Sequence, residues 1–254
     1  MKSLGLEIRK LRRKQYWLMV FGALAFQVLW LGAALGRRAT GPAGTRLLAL
    51  GINDAFNLAI LMLPIVAAVL ASRLVTIDVE GGMDQMFSAL GQREAGRFFA
   101  KLVLGGSTMA VMEVGIVAFA TVVGDGLGLH PTPGSSGALP VASVVLVAAS
   151  FAAVAVQLSL ARLFEKQGVG LGVATVFAIA ASGLGFMGMQ RWGWLVPWGI
   201  GAAGNPIDQV ASQHRTGDVT LVESSTFNAV MAVTMALVWT VAARLVLVWK
   251  EHRS

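Results

Sequence analysis

The chain has 254 residues, of which 56% are hydrophobic and 13% are charged, and its mean hydropathy is +0.71. A chain of this length and composition has far more apolar surface than a soluble domain can bury, so we expect an all-α polytopic membrane protein. The chain contains no cysteine, which excludes disulfides and thiolate metal sites.

The N-terminal residues 1–15 combine six cations with apolar residues on one helical face, namely Leu4, Ile8 and Leu11. This pattern predicts an amphipathic helix in the lipid headgroup layer. A secretory signal peptide is the alternative. It is disfavoured because the following apolar run extends over 19 residues, from Trp17 to Leu35, and ends in two arginines without a convincing cleavage site.

The sequence predicts six apolar spans that are long enough to cross a bilayer. Their approximate bounds are 17–35, 55–72, 102–123, 139–161, 169–189 and 227–249. Pro64 in the second span predicts a kink. Gly183, Gly185 and Gly188 in the fifth span predict a small-residue face that a neighbouring helix can approach closely.

The placement of Lys and Arg predicts the orientation of the spans. Fifteen of the 20 cations fall in alternate segments that include both termini, and the opposite side has five. The positive-inside rule therefore predicts that both termini are cytoplasmic. Because topology accounts for the net charge of +7, nucleic-acid binding is not expected.

The segment between the second and third spans, residues 78–101, is the most polar long stretch between two apolar spans. A short helix here would carry an apolar stripe with the spacing i, i+3, i+4 and i+7, formed by Met83, Met86, Phe87 and Leu90. Such a methionine-rich stripe suits insertion into a groove on a partner protein. The alternative is that it packs on the protein's own helix ends or on lipid headgroups.

Glu113 lies near the middle of the third span, where a charged side chain is costly. It is a candidate for a proton site or a contact for a cationic substrate, and the alternative is a structural glutamate that is protonated or hydrogen-bonded. Gln27, Asn57 and Gln157 are its available polar companions, and the sequence does not choose between them.

An aromatic cluster follows the fifth span and includes Trp194, Pro197 and Trp198. Indole rings favour the membrane interface, and the glycines and Asn-Pro turn that follow favour a short re-entrant or interfacial helix within residues 190–226. The alternative is an aromatic anchor followed by a solvated loop.

Enzyme signatures are missing from the sequence. It has no Gly-Lys pair, hence no G-x-x-x-x-G-K-[ST] phosphate loop, and its three histidines are scattered. We therefore expect no catalytic residues and no bound metal or cofactor.

The sequence resembles the permease subunits of type 2 ABC exporters, and within them the group that includes lantibiotic (antimicrobial peptide) immunity permeases. The resemblance rests on the basic N-terminus, the six spans, the acid and glycines that begin with Glu80, and the cationic stretch from Arg93 to Lys101. The Trp-Pro-Trp segment 194–198 is similar to the family's extracellular re-entrant region. The likeness covers essentially the whole chain, 1–254, as a single permease domain.

This resemblance implies that a separate ATPase dimer binds ATP and Mg²⁺ and pushes on a cytoplasmic coupling helix. The residues that would form the ATPase contact are Glu80, Met83, Met86, Phe87, Leu90 and Arg93. A second permease copy or a sister protein would complete a path through the bacterial cytoplasmic membrane for an amphiphilic peptide, drug or lipid. The competing hypothesis is an ATP-independent protein, either a proton-coupled carrier that uses Glu113 or a structural membrane partner.

Overall fold

The structure is a computed structural model that describes residues 15–80, 94–131, 135–164, 167–207 and 225–252. Its long helices are α1 Tyr16–Thr40, α2 Leu48–Glu80, α3 Glu94–Gly126, α4 Ser135–Leu163, α5 Gln167–Phe186 and α7 Ser225–Glu251. The short elements are 3₁₀ helices at Ala43–Thr45 and Gln190–Leu195 and the four-residue α6 Ile200–Ala203.

All six predicted spans are confirmed as helices that are long and apolar enough to cross a membrane. The described residues contain no strand, so the all-α expectation is also confirmed for them. The predicted amphipathic helix at residues 1–15 lies almost entirely outside the described residues and stays a prediction.

Several helices extend beyond the apolar stretches that predict them. Helix α2 begins at Leu48 instead of 55 and continues to Glu80 instead of 72, while α3 begins at Glu94 instead of 102. The added turns carry charged residues that pair with other helices, which lowers the cost of continuing a helix past its apolar part. Pro64 lies inside the uninterrupted α2, and the kink predicted there stays a prediction.

Helix α4 is central and packs against α2, α3 and α7, while α1 and α5 both pack against α2. In the apolar stretch of α2, 67% of the residues are buried, whereas the corresponding share is 22% in α1 and 22% in α7. The core therefore lies between α2, α3 and α4. Helices α1 and α7 are left with broad exposed apolar faces that suit lipid or protein neighbours.

Small residues bring α3 and α4 close together. A Cβ at Gly106 of α3 would lie 2.6 Å from the Phe151 ring of α4, so a larger residue there would force the helices apart. The close approach expected on α5 is not seen at Gly183, where an added Cβ would meet only the Met187 methyl, at 4.0 Å, among the described residues. Gly188 lies after the end of α5 with a φ of +69°, a backbone conformation that favours glycine.

Candidate functional site

A buried charge cluster joins the end of α2 to the beginning of α3. Lys101 Nζ donates hydrogen bonds to Asp78 Oδ2 at 2.5 Å and to the Leu74 carbonyl oxygen at 2.7 Å. Arg97 Nη1 lies 3.7 Å from the same Asp78 oxygen. All three charged residues are buried, with Asp78 fully so. We call Asp78, Arg97 and Lys101 the Asp78 cluster.

The predicted ATPase contact begins two residues after Asp78 in the sequence. Glu80 is the last residue of α2. Met83, Met86, Phe87, Leu90 and Arg93 lie outside the described residues, so the predicted coupling helix and its role stay predictions. Since residues 81–93 connect α2 to α3, the cluster holds together the two helix ends from which this segment extends.

Other contacts tie α7 to the same end of the bundle. Lys250 Nζ donates a hydrogen bond to the Arg162 carbonyl oxygen of α4 at 2.8 Å. The Arg244 guanidinium lies 5.0 Å from the centre of the Phe99 ring of α3, a cation–π distance. The ends of α2, α3, α4 and α7 are thus linked by polar contacts as well as by apolar packing.

Glu113 is fully buried on α3, and the neighbouring polar side chain is Gln27 of α1, which is fully buried as well. The two oxygens of Glu113 and the two amide atoms of Gln27 make no hydrogen bond of ordinary geometry within the described part of the chain. Two buried polar groups with incomplete hydrogen bonding lie side by side across the α1–α3 contact. Such an arrangement is costly in an apolar bundle, and it marks a candidate functional position.

The other two candidate path residues lie in different surroundings. Gln157 is buried on α4, and its Oε1 faces α5 at Gly170, where it would be 3.4 Å from an added Cβ. Asn57 lines a cavity between α1, α2 and α5. Of the three companions proposed for Glu113, the structure therefore places Gln27 against it. The roles of Glu113, Asn57 and Gln157 in transport stay predictions.

The segment after α5 folds back as a tight hairpin of short helices. The backbones of Gly193 and Gly199 touch, and a Cβ added to either would lie 2.5–2.6 Å from a carbonyl oxygen of the other. Trp198 is buried and stacks on Phe177 of α5, with ring centres 4.4 Å apart. Glycine is needed at both positions because any side chain would separate the two arms.

The hairpin ends in a buried polar contact with the core. Asn205 Nδ2 donates to Asn53 Oδ1 of α2 at 3.1 Å, while Asn205 Oδ1 accepts from the Ile207 backbone N–H at 3.0 Å. Pro197 is buried and Trp194 is half-buried. Residues 190–207 are thus packed short helices. Residues 208–224 lie outside the described residues, so the re-entrant helix and the alternative of an anchor followed by a solvated loop both stay predictions.

The cavity lined by Asn57 has a volume of about 710 Å³ and lies near the turn between α1 and α2. We call it the α1–α2 cavity. Arg38 and Asp54 form a two-pronged ion pair at its polar end, with Arg38 Nη2 donating to Asp54 Oδ1 at 2.7 Å. The sequence alone did not predict this pair. Its only signal was an acid and a base on either side of a short connection between two spans.

No group of three or more metal-ligating His, Cys, Asp or Glu side chains occurs in the part of the chain that the structure describes. The expectation that the chain binds no cofactor of its own stays a prediction.

In the part of the chain that the structure describes, six helices that are long and apolar enough to cross a membrane pack around a buried core, which defines a polytopic membrane protein. A family profile described as "ABC-2 family transporter protein" matches residues 3–181, which is more than half of the chain. The chain belongs to this family, whose members are membrane components of ABC transporters and are normally not catalytic themselves. Neither the comparison with curated proteins nor that with solved structures gives a significant match.

Proposed function

We propose that the chain is the permease subunit of an ATP-driven ABC exporter that moves an amphiphilic peptide, drug or lipid, similar to the lantibiotic immunity group. A separate ATPase dimer binds ATP and Mg²⁺ and powers the transport. The whole chain, 1–254, acts as one permease domain in the bacterial cytoplasmic membrane with both termini in the cytoplasm. A second copy or a sister permease completes the path.

The observation that carries this proposal is the Asp78 cluster. A partner that pushes on residues 81–93 acts on two helices at once, because Asp78 of α2 is bonded to Lys101 of α3 at 2.5 Å in a buried setting. A buried ion pair of this kind holds its partners in one register, since separating them leaves a desolvated charge. The cluster thus makes the ends of α2 and α3 move together.

Movement of the ends of α2 and α3 would also move residues in the membrane interior. Helix α2 packs against α3, α4 and α5, and it also carries Asn57 at the α1–α2 cavity. Helix α3 carries Glu113 against Gln27 of α1. A rigid shift of the α2–α3 pair therefore changes the contacts of both candidate path positions, which is the response that a coupled permease needs.

The test replaces two residues of the predicted stripe with aspartate. Met86→Asp with Phe87→Asp should abolish retention of an ABC ATPase by the affinity-purified chain while membrane insertion is kept. The matched control is Met187→Asp with Met189→Asp, because these two residues are exposed beyond the far end of α5. The control should keep the ATPase.

Undiminished retention of the ATPase by the stripe variant would reject the assignment of residues 83–90 as the docking segment. An ATP-independent carrier gives a different result, since no ATPase would be retained by the wild-type chain either. The same purification therefore separates the two hypotheses.

A further inference from the structure

The α1–α2 cavity has a polar end and an apolar end. Its lining on α1 follows one helical face at intervals of three and four residues, and its lining on α2 does the same. The residues at the apolar end include Phe26, Trp30, Leu61 and Met62. The charged residues Arg37, Arg38 and Asp54 lie towards the α1–α2 turn. The cavity therefore changes from apolar to charged along the helix axes.

The charges at the polar end do not balance. Asp54 is occupied by its two-pronged pairing with Arg38. The Arg37 side chain is exposed and makes no ion pair or hydrogen bond with any described residue. The polar end of the cavity thus carries one positive charge that no described carboxylate neutralises, and this charge is left to attract an anion.

The apolar end is accessible from the side of the bundle. Trp30 is 59% exposed and Phe26 is 48% exposed, and their rings lie 6.0 Å apart as one aromatic surface. The distance along α1 from Phe26 to Arg37 is about 16 Å at 1.5 Å per residue. This matches one leaflet of a bilayer whose hydrocarbon core is about 30 Å thick.

We propose that the α1–α2 cavity is a binding site for an anionic phospholipid of the bilayer. The acyl chain lies along Phe26 and Trp30, and the phosphate faces Arg37. The volume of about 710 Å³ is within the range of about 300–1,000 Å³ that is typical of small-molecule sites. The inference rests on the proposed function, because Asn57 lines this cavity and is also a candidate path residue. Binding of the lipid requires neither the ATPase nor ATP, so the two proposals can fail separately.

The experiment uses the purified full chain in nanodiscs of zwitterionic lipid. Photoactivatable phosphatidylglycerol is compared with phosphatidylcholine that carries the same acyl chains and label, and labelled peptides are mapped by mass spectrometry. Labelling of residues 26–62 by phosphatidylglycerol should exceed that by phosphatidylcholine about fivefold, since one basic residue contributes about 1 kcal/mol to binding of anionic lipid.

Two substitutions separate the headgroup contact from the acyl-chain contact. Arg37→Gln should remove the fivefold preference and leave phosphatidylcholine labelling unchanged. Trp30→Ala should lower labelling by both lipids several-fold. The matched controls are Arg191→Gln and Trp192→Ala, which change an exposed arginine and a 60% exposed tryptophan that do not line the cavity. Both controls should behave as the wild type.

Equal labelling by the two lipids in the wild type would overturn the proposal, as would an effect of Arg191→Gln equal to that of Arg37→Gln. A second copy of the chain on this face is a further outcome that would overturn it. Because the chain has no native cysteine, Trp30→Cys introduces a single thiol. Nearly complete disulfide dimers of this variant, together with the absence of lipid labelling in the wild type, would show that protein occupies the face.

Discussion

Lys101 offers the sharpest test of the Asp78 cluster, because its ammonium group donates to two acceptors in a buried site. Lys101→Met introduces an apolar side chain of similar length and removes both hydrogen bonds. The carboxylate of Asp78 then keeps Arg97, at 3.7 Å, as its cation within the cluster. Removing one partner of a buried ion pair costs about 3–5 kcal/mol, and we expect about 3 kcal/mol because Arg97 remains.

This loss is large enough to measure by thermal unfolding of the purified chain in detergent, followed by the fluorescence of its seven tryptophans. A change of 1 kcal/mol lowers the Tm of a chain of this size by about 2–4 °C, so Lys101→Met should lower it by about 6–12 °C. Asp78→Asn should lower it further, because it removes the carboxylate that both cations share.

The control is Lys250→Met, which removes the hydrogen bond of an exposed lysine to the Arg162 carbonyl at 2.8 Å. Its effect should be about 1 kcal/mol or less. Asp78→Asn combined with Lys101→Met should cost less than the two single changes added together, because their interaction is lost only once. A Lys101→Met shift no larger than that of Lys250→Met would show that the buried Asp78–Lys101 pair does not stabilise the fold.

The remaining predictions concern Glu113, the hairpin and the topology. Glu113→Gln keeps the size of the side chain but removes its possible charge, so export should fall while expression and assembly persist; wild-type export would reject a path role. Asn205→Ala should destabilise the chain by about 1–3 kcal/mol in the same unfolding assay, because a buried amide and a backbone N–H lose their partners; an unchanged Tm would contradict this contact. Tags at Ser3 and Ser254 should be cytoplasmic and a tag at Ser136 external in an accessibility assay, and any other pattern would mean a miscounted span.

The spans were predictable because each is a long apolar stretch, and the bilayer requires every backbone polar group to be bonded within its own helix. Their ends were less predictable. The second span was placed at 55–72, but α2 begins at Leu48, since Asp54 is neutralised by Arg38 of α1. A span that is predicted from apolar residues ends at a charged residue such as Asp54, whereas the folded helix continues through it.

The candidate site was predictable only in part. Glu113 is an acid in an apolar stretch and therefore stands out in the sequence, but its neighbour Gln27 depends on how α1 rotates against α3. The Asp78 cluster joins residues 23 positions apart. The sequence showed Asp78 and Lys101 as the two ends of a polar segment, and their pairing required the antiparallel packing of α2 against α3.

The most direct test of the exporter assignment is site-specific photocrosslinking from position 87. A photoreactive phenylalanine analogue replaces Phe87 in the full chain, and the adducts formed in membranes are identified by mass spectrometry. We expect a covalent adduct with an ATPase that contains a G-x-x-x-x-G-K-[ST] phosphate loop, and no such adduct when the analogue replaces Trp192. Absence of the ATPase adduct at position 87, or equal adducts at both positions, would show that residues 83–90 are not the ATPase contact.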